Sequence, residues 1–241
     1  IEVVYAASGY ELRAERIVHL NPDADADGIR DALEDVNRNG IYEGPLETNH
    51  TNTDTDADGL LDGFEDGNQD GRITGDLNNN YRHDPGEQWW ETDPRNPDTD
   101  GDGLPDGWEV VHGLDPWDNG VPGHTNMNTD TTITNDANGA NGDTDGDGAN
   151  NLNETIADTD PNDSSSYLGI SGIDVDAETI CISWHGGTGA IQRLQWSSLG
   201  GAPWAWQTVY GTNPPTSVSN LFIHVGVTNG GGIYRIEAQR P

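Results

Sequence analysis

Hydrophobic residues are distributed along this chain in two ways. From Thr179 onward they fall in strand-length runs, TICISWHG (179–186), AIQRLQW (190–196), WAWQTVYG (204–211), SNLFIHVGV (219–227) and GIYRIEAQ (232–239), separated by clusters of Gly, Pro and Asn. The runs are rich in β-branched and aromatic residues and several alternate, with Ile180, Ile182 and Trp184 on one face and Cys181 and Ser183 on the other. Period-two alternation marks a strand with one buried face, and such runs in succession predict a small antiparallel sandwich. IEVVY (1–5) and ELRAERIVHL (11–20) also read as strands. Two strands alone are marginal in water, so they are expected to pair with the C-terminal sheet of the same chain or of a neighbour. In between, apolar residues come only in short pieces. GLPDGWEVVHGL (103–114) is suited to single helical turns in which Trp108, Val111 and Leu114 pack locally.

Composition sharpens this division. The chain of 241 residues carries a net charge of −33 and is 32% hydrophobic, a combination that normally means disorder because too little apolar surface is buried to offset chain entropy. The charge is uneven, however: 4 of the 43 acids lie from Tyr167 onward, leaving 39 upstream. Three segments follow, an N-terminal β segment (1–20), an acidic array (21–165) and a β domain (166–241). All ten basic residues are arginine. No basic nucleic-acid footprint and no apolar run of about 18 residues occurs. The chain starts at Ile1 without an initiator Met or a signal-peptide pattern, as a processed protein or a fragment would. One cysteine, Cys181, rules out an internal disulfide framework and is expected as a small buried residue in a strand.

The acids of the middle region are spaced, not scattered. Counting Asp98 as position 1, Asp98, Asp100 and Asp102 fall at 1, 3 and 5, Gly103 at 6, Asp106 at 9 and Glu109 at 12. That is the spacing of an EF-hand-type loop. Three short carboxylates on alternate residues of a curling loop converge on one ion, and glycine at 6 permits the sharp turn. The Leu104 carbonyl serves at 7, Asp106 acts through a water at 9, and Glu109 reaches back with two oxygens. An all-oxygen cage of six to eight ligands favours Ca2+ over Mg2+. The same ruler fits Asp23, Asp25, Asp27, Ile29 (carbonyl), Asp31 and Glu34, and again Asp54, Asp56, Asp58, Leu60 (carbonyl), Asp62 and Glu65. It fits Asp143, Asp145, Asp147, Ala149 (carbonyl) and Glu154 with Asn151 at position 9. Weaker loops interleave: Asp35, Asn37, Asn39, Ile41 (carbonyl) and Glu43; Asp66, Asn68, Asp70 and Arg72 (carbonyl); and Asp76, Asn78, Asn80, Arg82 (carbonyl), Asp84 and Glu87. In the last of these Tyr81 replaces the turn glycine, which makes it the poorest match. The connectors repeat too, ETNHTNTD (47–54) against ETDPRNPD (91–98).

Tandem D-x-D-x-D-G-x-x-D-x-x-E loops alternating with D-x-N-x-N-G loops and TDP-like connectors resemble thrombospondin type 3 repeats of the kind carried by bacterial secreted and surface proteins. The resemblance covers about Asn21 to Asp163 and weakens from His112 to Gly142. It implies a chain wrapped around a row of calcium ions with little apolar core. The C-terminal runs look like the immunoglobulin- or fibronectin-like domains that often end such proteins. The expected fold is thus a mostly irregular calcium-loop array followed by an all-β sandwich.

No H-E-x-x-H, C-x-x-C, G-x-S-x-G or phosphate-loop pattern occurs, and the carboxylate pairs belong to the metal loops, so a non-enzymatic role is expected. About seven or more calcium ions are expected, and seven would move the charge from −33 to about −19. The function expected is an extracellular calcium-binding structural protein, its array stiffened by calcium and its terminal β elements linking copies head to tail into a surface filament. The alternative is an adhesin spacer whose β domain binds a cell-surface glycan or protein, with Trp184, Trp196, Trp204 and Trp206 as an aromatic platform. Sequons at Asn49, Asn153 and Asn162 would suit a secreted chain.

Overall fold

The computed structural model describes residues 2–7 and 10–15 by their backbone, and 22–120, 137–176, 179–199, 204–225 and 232–241 in full. Residues 16–20 of the second expected strand and the interruption at 121–136 lie outside the described residues. The chain divides into two compact units, Ile1–Pro97 and Asp98–Pro241.

In the first unit β1 (Glu2–Ala7) pairs antiparallel with β2 (Tyr10–Glu15), Val3 opposite Ala14 and Tyr5 opposite Leu12. β1 and β2 thus pair with each other, and among the described residues neither joins a C-terminal sheet. An adjacent antiparallel strand closes the shortest loop and loses the least chain entropy. Beyond the hairpin the unit is loops punctuated by two single turns, α1 (Asp31–Glu34) and α2 (Asp62–Glu65). Each turn runs from position 9 to position 12 of its loop. Asp31 and Asp62 begin these turns, at the end where an acid is favoured.

The second unit contains α3 (Asp106–His112) and α4 (Asn151–Ala157). Gly113 ends α3 at φ 72°, with Leu114 N donating to the Glu109 carbonyl, the left-handed stop that glycine permits. The Asn150 side chain caps α4 by accepting from Asn153 N. Leu104, Leu114 and Ala140 form a small core with Trp108 and Leu152 against it. Trp108 and Leu114 thus pack as the sequence suggested. Val111 does not: Trp108 packs on that core with the His112 ring 4.4 Å from its own, and Val111 is left exposed.

Six strands follow in two packed antiparallel sheets. The first has the order β3 (Gly169–Val175), β4 (Thr179–His185), β7 (Ser219–Val225), and the second β6 (Gln207–Thr212), β5 (Ile191–Ser198), β8 (Gly232–Gln239). Ile182, Trp184 and Leu194 are fully buried between them, flanked by Ile170, Ile180, Phe222, Tyr234 and Ile236. Cys181 is free and half-buried on the outward face of β4 rather than in the core. The four tryptophans form no platform. Trp184 is a core residue donating to Gln192 Oε1 at 2.8 Å, and Trp206 lies under the Arg235 guanidinium. Within this unit the last loop is tied to the sandwich. Gly187 N donates to the Ala157 carbonyl (3.1 Å), Gly189 N to Asp158 Oδ2 (2.6 Å) and Arg240 Nε to the Thr155 carbonyl (3.2 Å). The fit at Gly187 is so close that a Cβ there would lie 1.8 Å from the Asp158 carbonyl oxygen.

Candidate metal centres

The four best loops share one mechanical design. The aspartate at position 1 holds the turn with backbone N–H groups, as Asp54 does with Ala57 (2.8 Å) and Gly59 (3.2 Å) and Asp98 with Gly101 (2.8 Å) and Gly103 (2.9 Å). Asp143 likewise accepts from Gly146 and Gly148, and Asp23 from Ala26. Position 6 has φ between 98° and 111° in Gly28, Gly59, Gly103 and Gly148, where only glycine is unstrained. At positions 3 and 5 each aspartate holds the loop with Oδ1, and Asp102 also accepts from Ala140 N with Oδ2 (2.6 Å). Asp25, Asp56, Asp100 and Asp145 accept from the N–H two residues on, and Asp27, Asp58, Asp102 and Asp147 do the same.

The second oxygen is the informative one. Oδ2 of Asp25, Asp27, Asp56, Asp100, Asp145 and Asp147 is buried and has no hydrogen-bond partner in the protein. The same holds for Glu34 Oε2, Glu154 Oε2 and both oxygens of the fully buried Glu109. Carboxylates on Asp23, Asp25 and Asp27, on Asp54, Asp56 and Asp58, and on Asp98, Asp100 and Asp102 bring oxygens within 4.8 Å of one another. Buried polar groups without partners are costly, and here they converge with the same sign of charge. Burial pushes Asp27 up to about 6, Asp56 and Glu154 to about 7, and Glu34 and Asp100 to about 8, with neighbouring carboxylates adding to each. Burial raises Glu109 furthest, to about 11, with Asp100, Asp102, Asp106 and Asp98 contributing repulsion. Several Asp/Glu clusters can therefore hold a metal ion, and the donor set, all oxygen, suits a hard cation.

Position 9 also closes its own loop. Asp62 accepts from Thr55 N (2.7 Å) and Thr55 Oγ1 (2.5 Å), and Asp106 from Thr99 N (2.8 Å) and Thr99 Oγ1 (2.5 Å). Asp31 accepts from Ala24 N, and Asn151 Oδ1 from Thr144 Oγ1. Position 9 thus pins position 2, closing the loop on itself. In the first unit Asp62 also sits with Asp27 and Glu34 of the preceding loop in a cluster of the same 4.8 Å spread. Gly63 makes that approach possible, since a Cβ there would stand 2.1 Å from the Asp27 carbonyl oxygen.

The interleaved loops are built with amides in place of some acids. Asp35 accepts from Asn39 N and Gly40 N, Asp66 from Asp70 N and Gly71 N, and Asp76 from Asn80 N and Tyr81 N. Tyr81 adopts φ 58°, so the residue that looked least suited to its loop takes the glycine conformation and makes the glycine hydrogen bond (2.7 Å). The Arg95 guanidinium lies 3.2 Å over its ring, a cation–π contact that offsets left-handed strain. Asn78 and Asn80 donate to Asp84 and hold its carboxyl below the ordinary value. Asn37 and Asn39 donate to Glu43 in the same way. Glu87 accepts from Leu77 N and Asp84 N, one with each oxygen. Ile41 N and Arg82 N are held by Asn39 and Asn80, whereas Ile29, Leu60 and Leu104 at position 7 are buried.

Three further acids belong to this array. Glu47 accepts from Asn37 N and Nδ2 while its Oε2 is buried without a partner, and Glu91 accepts from Asn68 N (3.1 Å) and Thr74 N (2.7 Å). Both begin the repeated connector ET, whose threonines reach back to position 12 of the preceding loop, Thr48 to Glu34 (3.3 Å) and Thr92 to Glu65 (2.9 Å). The matching connectors were the signal for them. Asp118, with a buried Oδ2 lacking a partner, carries no spacing signal. No family model, curated protein or solved structure matches the chain. The thrombospondin-like resemblance accordingly rests on the loop residues alone.

Proposed function

We propose that this is an extracellular calcium-binding structural protein, in which calcium sets the acidic array and the β elements join copies of the chain into a surface filament. The observation that carries the reading is the pairing of roles within single aspartates, one oxygen holding the loop and the other buried without a partner. Asp25, Asp27, Asp56, Asp100, Asp145, Asp147, Glu34, Glu109 and Glu154 would supply ligands. A bound cation would turn their mutual repulsion into cohesion. Flexible loops of this length favour calcium over the more exacting magnesium, with affinities of roughly 10⁻⁴–10⁻³ M suited to calcium-rich surroundings. The hairpin β1–β2 and the sandwich are the elements that would meet in a filament. Native mass spectrometry of the whole chain, with calcium, magnesium or chelator, tests the metal reading. Retention of several calcium ions and few magnesium ions is expected, and a chain that keeps none, or both equally, refutes it.

A second reading, a spacer presenting a ligand-binding sandwich, has Trp204 in its favour, which is 45% exposed on the β domain. Glycan-array binding by the whole chain, lost in Trp204→Ala, would support it over the filament.

A further inference from the structure

The sandwich has four strand edges, and three of them are protected against pairing. On β3 a bulge between Ile170 and Gly172 and the charge of Asp174 break the edge. On β6 the register shifts opposite Leu194 and Gln195. On β8 the exposed Arg235 and Glu237 sit on the strand, and Arg240 just beyond it ties to the α4 backbone. These are the devices that keep sheet edges from associating. β7 has none. Its seven residues, SNLFIHV, contain no Pro, Lys, Asp, Glu or Arg. Its register with β4 is regular from Ser219 to Val225. Among the described residues it pairs with β4 alone.

Its outward side chains are apolar as well. Leu221, Ile223 and Val225 are 62%, 53% and 68% exposed, in line along one face, with Cys181 opposite Ile223 on β4. An uncharged, regular, apolar edge strand of this length is a template for another strand. Charge decides what that strand belongs to. Most of the −33 lies before Tyr167, so two copies repel one another except through the sandwich, where 4 acids face 3 arginines. β4 and β7 contain no Asp, Glu, Lys or Arg.

We propose that β7 is an interface taking the β7 strand of a second copy of this chain, antiparallel across a twofold axis, to make one continuous six-stranded sheet. Identical strands related by a twofold satisfy each other's open N–H and C=O groups, because every donor on one finds the equivalent acceptor on the other. Pairing centred on Phe222 would set Leu221 against Ile223 of the second copy, on the same outward face. The contact is isologous and closes at two copies. It differs in kind from a head-to-tail filament joint, and it stands or falls independently of calcium binding.

The test is sedimentation equilibrium of the full chain over a wide concentration range, in calcium and in chelator, with hydrogen exchange of residues 219–225 at both ends of that range. Dimers are expected, with β7 amides slowing as they form. Ile223→Lys, at a solvent-exposed position, should weaken dimerisation at least roughly tenfold by placing like charges across the joint while leaving the circular dichroism melt of the sandwich unchanged. Leu221→Lys should do the same, and Ile173→Lys, on the bulged β3 edge, should not. A monomer at every concentration in both conditions overturns the proposal. So does a dimer that leaves β7 exchange unchanged, or one abolished by deleting residues 1–15, which would assign the contact to the hairpin.

Discussion

Replacing Glu109 with Gln should act in opposite directions with and without calcium. Glu109 is fully buried at the end of its loop, neither carboxylate oxygen has a partner, and burial beside Asp100, Asp102, Asp106 and Asp98 lifts it from 4.5 to about 11. In calcium-free protein at neutral pH it is therefore protonated when folded and ionised when unfolded. Holding a proton about 2.5 pH units above its ordinary value costs about 3 kcal/mol of folding free energy. Gln matches the protonated acid in size and is equally without partners, so the cost of burying a polar group cancels and the ionisation cost is what disappears. The calcium-free variant should thus be more stable than the parent by up to about 3 kcal/mol. The contribution has a clear pH signature. The folded value lies above the unfolded one, so the stability is intact below about 4.5 and is lost progressively as pH rises toward 11. The variant should lack that slope.

With calcium the sign reverses. The variant has lost a two-oxygen anionic ligand, and its affinity at this loop should fall roughly 10- to 100-fold. Hydrogen exchange of residues 104–114 in chelator reads the first effect, since Leu114 N is bonded to the Glu109 carbonyl at the end of α3. Competition with a chelating dye reads the second. A variant less protected than the parent in chelator, or with unchanged calcium affinity, refutes the assignment of Glu109 as a buried ligand held at the cost of apo stability.

Chelation should expand the acidic region in small-angle scattering while the sandwich stays folded, because metal-binding free energy replaces a missing apolar core. The bonds from Gly187, Gly189 and Arg240 to α4 should nonetheless make the sandwich melt lower in chelator, by roughly 4–8 °C for each kcal/mol of support withdrawn; no shift would mean the joint carries no stability. Calcium binding should release protons from Glu34 and Asp100, raised to about 8, so affinity falls as pH drops from 8 toward 6. Calorimetric heats that do not change between buffers of different ionisation enthalpy would contradict this. Tyr81→Val puts a β-branched residue at φ 58° and should cost the first unit about 1–3 kcal/mol in urea unfolding; a neutral result would mean the loop does not hold that conformation.

Much of the fold was legible because it is local. The spacing of Asp98, Asp100, Asp102 and Gly103 dictates a turn whose hydrogen bonds span two to five residues, and the structure has those bonds. The alternation of Ile180, Ile182 and Trp184 likewise places a buried face. β3 carries little strand signal because GISGIDV has glycines where a buried strand would have branched residues, and it is a bulged edge strand that needs only partial burial. The pairing of β1 with β2 follows from their adjacency in the chain, since the connecting loop spans only residues 8–9.

Position 9 carries a second task that spacing alone does not show, and its partner lies in position 2. A carboxylate at 9 has two oxygens, and the loop engages them wherever it offers donors. Thr55, Thr99 and Thr144 each present a hydroxyl to position 9, and the first two add a backbone N–H. Asp62 and Asp106 each accept from two protein donors, and an oxygen of Asp62 still lies within 4.8 Å of oxygens on Asp27 and Glu34. Ala24 offers a single N–H, and Asp31 receives that alone at 2.8 Å. The threonine seven residues before the acid was therefore a readable sign that the acid closes the loop. Reading it separates the two tasks the carboxylates share. Those at 1 and 9 hold the loop as well as lining the clusters, and Asp25, Asp27, Glu34 and Glu109 at 3, 5 and 12 keep an oxygen for what the cage holds. An array that divides its acids this way can hold its loop geometry through hydrogen bonds while leaving the central repulsion unresolved, and only a cation resolves that repulsion without protonating the acids.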